Sequence, residues 1–164
     1  MVDRRDFIKV SVSGVAGVVL PSGSVSIAHG EEISEQAGFP VLDIAPLSEV
    51  LHRTVLQFFY PDEMSPSILI RLEEPGLNGV GPNNEIVAYS QMCTHKGCPV
   101  GYRPERKMLI CPCHWSTFDP ARAGTMVIGQ ASQSLPQIVL RVKGEIVQAV
   151  GISGLIYGRR TNII

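Results

Sequence analysis

Two segments, Cys93-Thr-His-Lys-Gly-Cys98 and Cys111-Pro-Cys-His-Trp-Ser-Thr-Phe-Asp119, hold every cysteine of the chain and two of its four histidines. Thiolate and imidazole are the soft and borderline donors that iron and zinc prefer, so this density at short spacing points to a metal centre. Each segment carries a cysteine and a histidine close enough for one loop to present both to one site: Cys93 with His95, and Cys111 with His114. Two ordinary disulfides would account for four cysteines but not for these couples. A zinc site of two cysteines and two histidines has the right ligand count, yet leaves Cys98 and Cys113 without a role in it.

Outside these segments the chain reads as scaffold. Its 164 residues fit one domain, too short to add separate cofactor and substrate domains. A net charge of -1 and 18% charged residues exclude a nucleic-acid binder by electrostatics. Sixteen glycines and twelve prolines indicate frequent turns. Short apolar or alternating runs recur at Thr54–Tyr60, Ser67–Leu72, Glu85–Ser90, Lys107–Ile110, Thr125–Ile128, Gln137–Val142 and Glu145–Val150. Their length and β-branched content predict strands. Lys143 and Gly144 read as a two-residue hairpin loop, and Pro46–Leu51 as a short helical turn. The predicted fold is an antiparallel all-β domain with the cysteine-rich segments as loops leaving strand ends.

The amino terminus reads as an export signal. Arg4 and Arg5 precede the apolar run Val10–Leu20, as in twin-arginine leaders, and Ser26, Ile27 and Ala28 offer small residues for cleavage after Ala28. The run is broken by Gly14 and Gly17 and falls short of the roughly 20 residues that cross a bilayer. Membrane contact is therefore expected only if the leader is retained, and the expected location is the periplasm. The expected organisation is a leader over residues 1–28, a flexible acidic terminus over 29–40, and one folded domain over 41–164 with its cluster-binding loops at about 91–136.

The pattern C-x-H-x-x-C followed by C-x-C-H resembles the Rieske iron–sulfur proteins, where two cysteines hold one iron of a [2Fe–2S] cluster and two histidines the other. The resemblance implies a β-sandwich or barrel with a cluster-binding subdomain formed by two loops. It implies Cys93 and Cys111 as ligands of the inner iron and His95 and His114 as ligands of the outer one, with Cys98 and Cys113 joined in a disulfide that ties the two loops. Neutral imidazoles in place of thiolates raise the reduction potential, and their free ring edges couple electron transfer to a proton, so the potential should fall as pH rises. Ser116 matches the family serine that donates a hydrogen bond to a bridging sulfide. Phe118 stands where high-potential members carry a tyrosine, and Trp115 is read as a cover for its loop. Gly129–Pro136 matches the loop that covers the cluster, although Gln130 replaces the proline of cytochrome bc complexes.

Three further stretches, V-G-P-N-N-E-I-V-A-Y-S (80–90), A-G-T-M-V-I-G-Q-A (123–131) and G-L-I-Y-G-R-R (154–160), are similar to the Rieske subunit of arsenite oxidases. That similarity implies a non-catalytic electron-transfer subunit of an oxidoreductase, forming a heterodimer with a large molybdopterin and iron–sulfur subunit. Electrons would leave for a cytochrome c or a copper protein. A Rieske subunit of a quinol-oxidising cytochrome bc complex is the alternative; it calls for a firmer membrane span than this leader offers. A fused oxygenase would need a second iron site, and only His29 and His52 remain, both read as surface or packing residues. Arg103, Arg106 and Lys107 read as an ordinary solvated basic turn.

Overall fold

A computed structural model describes residues 36–163 of the chain. The leader and most of the acidic terminus lie outside the described residues. Ten strands and one short helix follow: β1 Leu42–Pro46, α1 Leu47–His52, β2 Val55–Phe59, β3 Pro66–Arg71, β4 Ile86–Ser90, β5 Gly101–Arg103, β6 Met108–Ile110, β7 Thr117–Asp119, β8 Thr125–Ile128, β9 Gln137–Lys143 and β10 Ile146–Ser153. All pairings are antiparallel. They form a six-stranded sheet in the order β1-β10-β9-β4-β3-β2 and a four-stranded sheet in the order β5-β6-β7-β8. This is the antiparallel all-β architecture expected from the sequence.

The ends of the large sheet are drawn together. Phe39, just before β1, stacks on Tyr60, just after β2, with ring centroids 6.4 Å apart, and the Tyr60 hydroxyl donates to the Pro40 carbonyl at 2.8 Å. Backbone and side chain of Gln36 bond to β10 at Val150 and Ile152. The domain's contacts thus begin five residues before Val41, where the sequence placed its start.

The small sheet is an insert between β4 and β9, and its loops carry both cysteine segments. Strands β3 and β4 are the wall between it and the rest. Leu69, Ile86 and Ala88 pack into one core with Val50, Leu140 and Val147. Their neighbours Ile68, Ile70, Val87 and Tyr89 pack into a second core with Leu109, Phe118, Cys93 and Cys111. Successive strand residues face opposite ways, so a run of consecutive apolar residues lets one strand serve both cores. Tyr89 crosses into the insert, donating from its hydroxyl to the Pro120 carbonyl at 2.7 Å.

The hairpin between β9 and β10 departs from expectation by one residue. Lys143 pairs with Ile146, leaving Gly144 and Glu145 as the two-residue loop. Gly144 takes φ +60, and a tight hairpin loop needs that left-handed backbone at its first central position, where glycine has no Cβ to resist it.

Candidate metal centre

The first cysteine segment leaves β4 and the second leaves β6, and each closes on itself. The Cys93 N–H donates to the Cys98 carbonyl at 3.0 Å and the Gly97 N–H to the Cys93 carbonyl at 2.8 Å; the Cys111 N–H donates to the Ser116 carbonyl at 2.9 Å and the Trp115 N–H to the Cys111 carbonyl at 3.0 Å. Gly97 at φ +72 and Trp115 at φ +62 supply the left-handed residues that such tight loops need.

The four cysteines divide into two pairs. Cys98 and Cys113 form a disulfide between the loops, with Cα atoms 6.5 Å apart. Cys93 and Cys111 remain free thiols, each 1% exposed and packed in the same core. The Cys111 sulfur also lies within 4.8 Å of the disulfide sulfurs, but those two are spent as ligands by their own bond. Burial pushes the Cys93 thiol above its ordinary range. Backbone N–H groups of His95 and Lys96 act in the opposite direction, and the Cys111 sulfur adds to the upward shift. A cation that displaces the proton would find those N–H groups already in place to stabilise the thiolate.

His95 and His114, one from each loop, meet edge to face with ring centroids 4.8 Å apart. His114 is exposed and His95 partly so. The donor set therefore has a buried side of two thiols and an open side of two imidazoles, which fits a two-iron cluster better than a tetrahedral single-ion site.

The third segment closes over this arrangement. The Ser116 oxygen accepts from the Gln130 N–H at 3.1 Å and the Ala131 N–H at 3.0 Å. Both acceptor positions of that hydroxyl are then filled, and its own hydrogen is free to donate elsewhere. The Thr94 hydroxyl donates to the Gln133 carbonyl at 2.8 Å, tying the same segment to the first loop. Phe118 is 0% exposed in the core that also holds both free thiols. Trp115, read as a cover, instead projects from the loop at 68% exposure.

Residues 43–139 match the Rieske [2Fe–2S] domain family. The chain belongs to that family. Its Rieske domain is accordingly the seat of a [2Fe–2S] cluster, and the protein is an electron carrier.

Among curated relatives, the iodate reductase subunit IdrB of Denitromonas iodatirespirans is 38% identical over 162 residues, covering 97% of this chain and 85% of the relative. The cytochrome bc1 complex Rieske subunit of Streptomyces lividans is 46% identical, but over 61 residues, 37% of this chain and 36% of the relative. Among solved structures, the soluble domain of Rieske protein II from Sulfolobus acidocaldarius superposes with a TM-score of 0.65 at 26% identity, covering 74% of this chain and 85% of that one.

The other residues singled out in the sequence lie away from the centre. His52 ends α1 and is exposed, and His29 lies outside the described residues. Lys107 forms an exposed ion pair with Glu73 at 2.8 Å, and Arg103 and Arg106 are exposed. Thr94 was not legible as a site residue. A hydroxyl between a cysteine and a histidine signals nothing until the fold brings Gln133 beside it.

Proposed function

We propose that this chain is the electron-transfer subunit of an exported molybdopterin oxidoreductase acting on an oxyanion, with arsenite oxidase as the first reading. The observation that carries the electron-transfer-subunit reading is the 38% identity to an oxidoreductase's Rieske subunit over 97% of this chain; arsenite as the substrate is the expectation drawn from the stretches at 80–90, 123–131 and 154–160, outside the cysteine motifs. In this reading Cys93 and Cys111 hold the inner iron, and His95 and His114 hold the outer one. The cluster supplies one-electron storage; the chain holds the ligands, excludes water from the thiol side and offers the two imidazoles at the surface. Substrate chemistry belongs to the large subunit of the heterodimer, and a cytochrome c or copper protein takes the electrons away.

The proposal includes the leader. Residues 1–28 direct the folded protein through the twin-arginine route to the periplasm, with cleavage after Ala28, ahead of a terminal segment over 29–40 and the domain over 41–164. No helix among the described residues is long and apolar enough to cross a membrane.

A second reading, iodate reduction, is favoured by the 38% identity to IdrB along nearly the whole chain. There, electrons would reach the large subunit through this cluster rather than leave by it. The quinol-oxidising alternative rests on a shorter likeness of 61 residues.

The test is purification of the native complex from the periplasm, with metal analysis and low-temperature electron paramagnetic resonance. Molybdenum accompanying a Rieske-type signal, with arsenite reducing that signal, supports the first reading. Iodate oxidising the pre-reduced signal, with arsenite inert, selects the second. A Rieske signal with haem b and no molybdenum overturns both.

A further inference from the structure

The segment G-L-I-Y-G-R-R near the carboxyl terminus has no part in binding the cluster, yet the fold brings it to two of the three loops that do. Gly154 lies against Pro136 at the end of the covering segment; a Cβ there would sit 3.4 Å from the Pro136 Cα. Ile156 is 2% exposed and anchors the segment in the first core. The Tyr157 ring lies on the backbone of the first cysteine loop, where a Cβ on Gly97 would come within 2.8 Å of its Cδ1 and 3.0 Å of its Cε1. Gly97 is thus required twice: its φ of +72 suits glycine, and the space a side chain would need is filled by the ring.

The segment is fastened on both sides of Tyr157. Asn162 accepts from the Ile156 N–H at 3.0 Å and donates to the Gly154 carbonyl at 2.6 Å. The Arg159 guanidinium pairs with Asp62 and donates to the Ser65 hydroxyl at 2.6 Å, binding it to the loop between β2 and β3.

We propose that residues 154–162 act as a strap that positions the first cluster loop, with Tyr157 as the positioning residue. The ends of that loop are fixed by the disulfide and the Cys93–Cys98 backbone bond. Its middle carries His95, two residues from the backbone that the ring covers. Shifting Gly97 therefore turns the imidazole, and the orientation of a histidine ligand tunes a metal centre. The inference depends on the cluster and not on which oxyanion the partner handles.

The experiment uses the full, cluster-loaded chain with its disulfide intact, and compares Tyr157→Ala, Tyr157→Phe and Arg159→Met. Tyr157→Ala should speed amide exchange at 94–97 by about tenfold and shift both the midpoint potential and the g-values of the reduced cluster. Tyr157→Phe, which keeps the ring, should match the wild type in all three. Arg159→Met should speed exchange at 154–162 and at 94–97 together. Wild-type exchange and spectrum in Tyr157→Ala, or equal shifts in Tyr157→Phe, would overturn the proposal. Should Tyr157→Ala fail to hold its cluster, Arg159→Met decides: faster exchange confined to 154–162, with an unchanged spectrum, overturns it.

Discussion

Gly129 passes so close to Ser116 that a Cβ on it would lie 2.4 Å from the Ser116 Cα. With φ at +118 the position is also one that other residues resist. Backbone has to move if a side chain is added, and that motion pulls the Gln130 and Ala131 N–H groups off the Ser116 oxygen. Gly129→Ala should therefore cost at least about 2 kcal/mol in chemical denaturation. A cost under about 0.5 kcal/mol, typical of neutral surface changes, would mean that the contact is not as tight as described.

Ser116→Ala keeps the shape and removes the hydroxyl. Two backbone N–H groups lose their acceptor, a loss of roughly 1–3 kcal/mol where the groups stay buried. The freed hydrogen of the hydroxyl also disappears, so the reduced cluster loses a donor and the potential should fall. Protein-film voltammetry that finds the potential unchanged would show that the Ser116 hydrogen points away from the cluster.

Phe118→Tyr adds a hydroxyl within the core that holds Cys93 and Cys111. A hydrogen bond to sulfur that strengthens on reduction by about 1 kcal/mol raises a one-electron potential by about 40 mV, since 59 mV is a tenfold change in equilibrium. The same voltammetry reads the outcome, and a lowered potential would mean that the hydroxyl strains the loop instead.

Opening the Cys98–Cys113 disulfide should release the two loops from each other. Its ends are 15 residues apart, and closing such a loop lowers unfolded-chain entropy by about 3 kcal/mol on the usual model. The double change Cys98→Ala with Cys113→Ala should lower stability by a similar amount and speed bleaching of the cluster's visible absorbance under mild denaturant. Bleaching at the wild-type rate would show that the covering segment alone holds the loops.

Acid should loosen the carboxyl-terminal strap. Burial pushes the Asp62 carboxyl up, but hydrogen bonds from Arg159 and the Met64 N–H, with the Arg159 charge and the Ser65 hydroxyl, outweigh it and hold the group below its usual range. A carboxyl depressed in the folded state stabilises the fold above its unfolded value of about 3.9 and loses that contribution as pH falls through the folded value. Asp62→Asn should flatten the fall in melting temperature over that acid range; an unchanged acid limb would assign it to other carboxylates.

The strands with continuous apolar runs were the easiest to read. The runs at 67–72, 85–90 and 137–142 coincide closely with β3, β4 and β9 because their apolar residues fill two cores. Strands β5 and β7 were missed: three residues do not establish a period, and unlike the all-apolar Met-Leu-Ile of β6, Gly-Tyr-Arg and Thr-Phe-Asp offer no apolar run in its place. β1 was missed for a different reason. Leu-Asp-Ile-Ala-Pro ends in proline at the sheet edge, where no ladder donor is needed, and runs straight into α1. The motifs marked the cysteine and histidine positions, whereas the approach of Gly129 to Ser116, the bond of Thr94 to Gln133 and the seat of Tyr157 on Gly97 join residues 13, 39 and 60 positions apart, across loops of no fixed pattern. Such relations exist only after folding.

The alternation along β3 and β4 sets how the insert can change over time. Everything the insert touches on this wall comes from one face: Ile68, Ile70, Val87 and Tyr89. The opposite face, Leu69, Ile86 and Ala88, belongs wholly to the other core. A one-residue slip of either strand would exchange the two sets, so the register is locked. Substitution within it is not: these four side chains, with Leu72 and Val55 beside them, form the socket, and a differently tuned insert that keeps their complement and a seat for Tyr157 on its first loop could be exchanged as a cassette while the host sheet stays as it is.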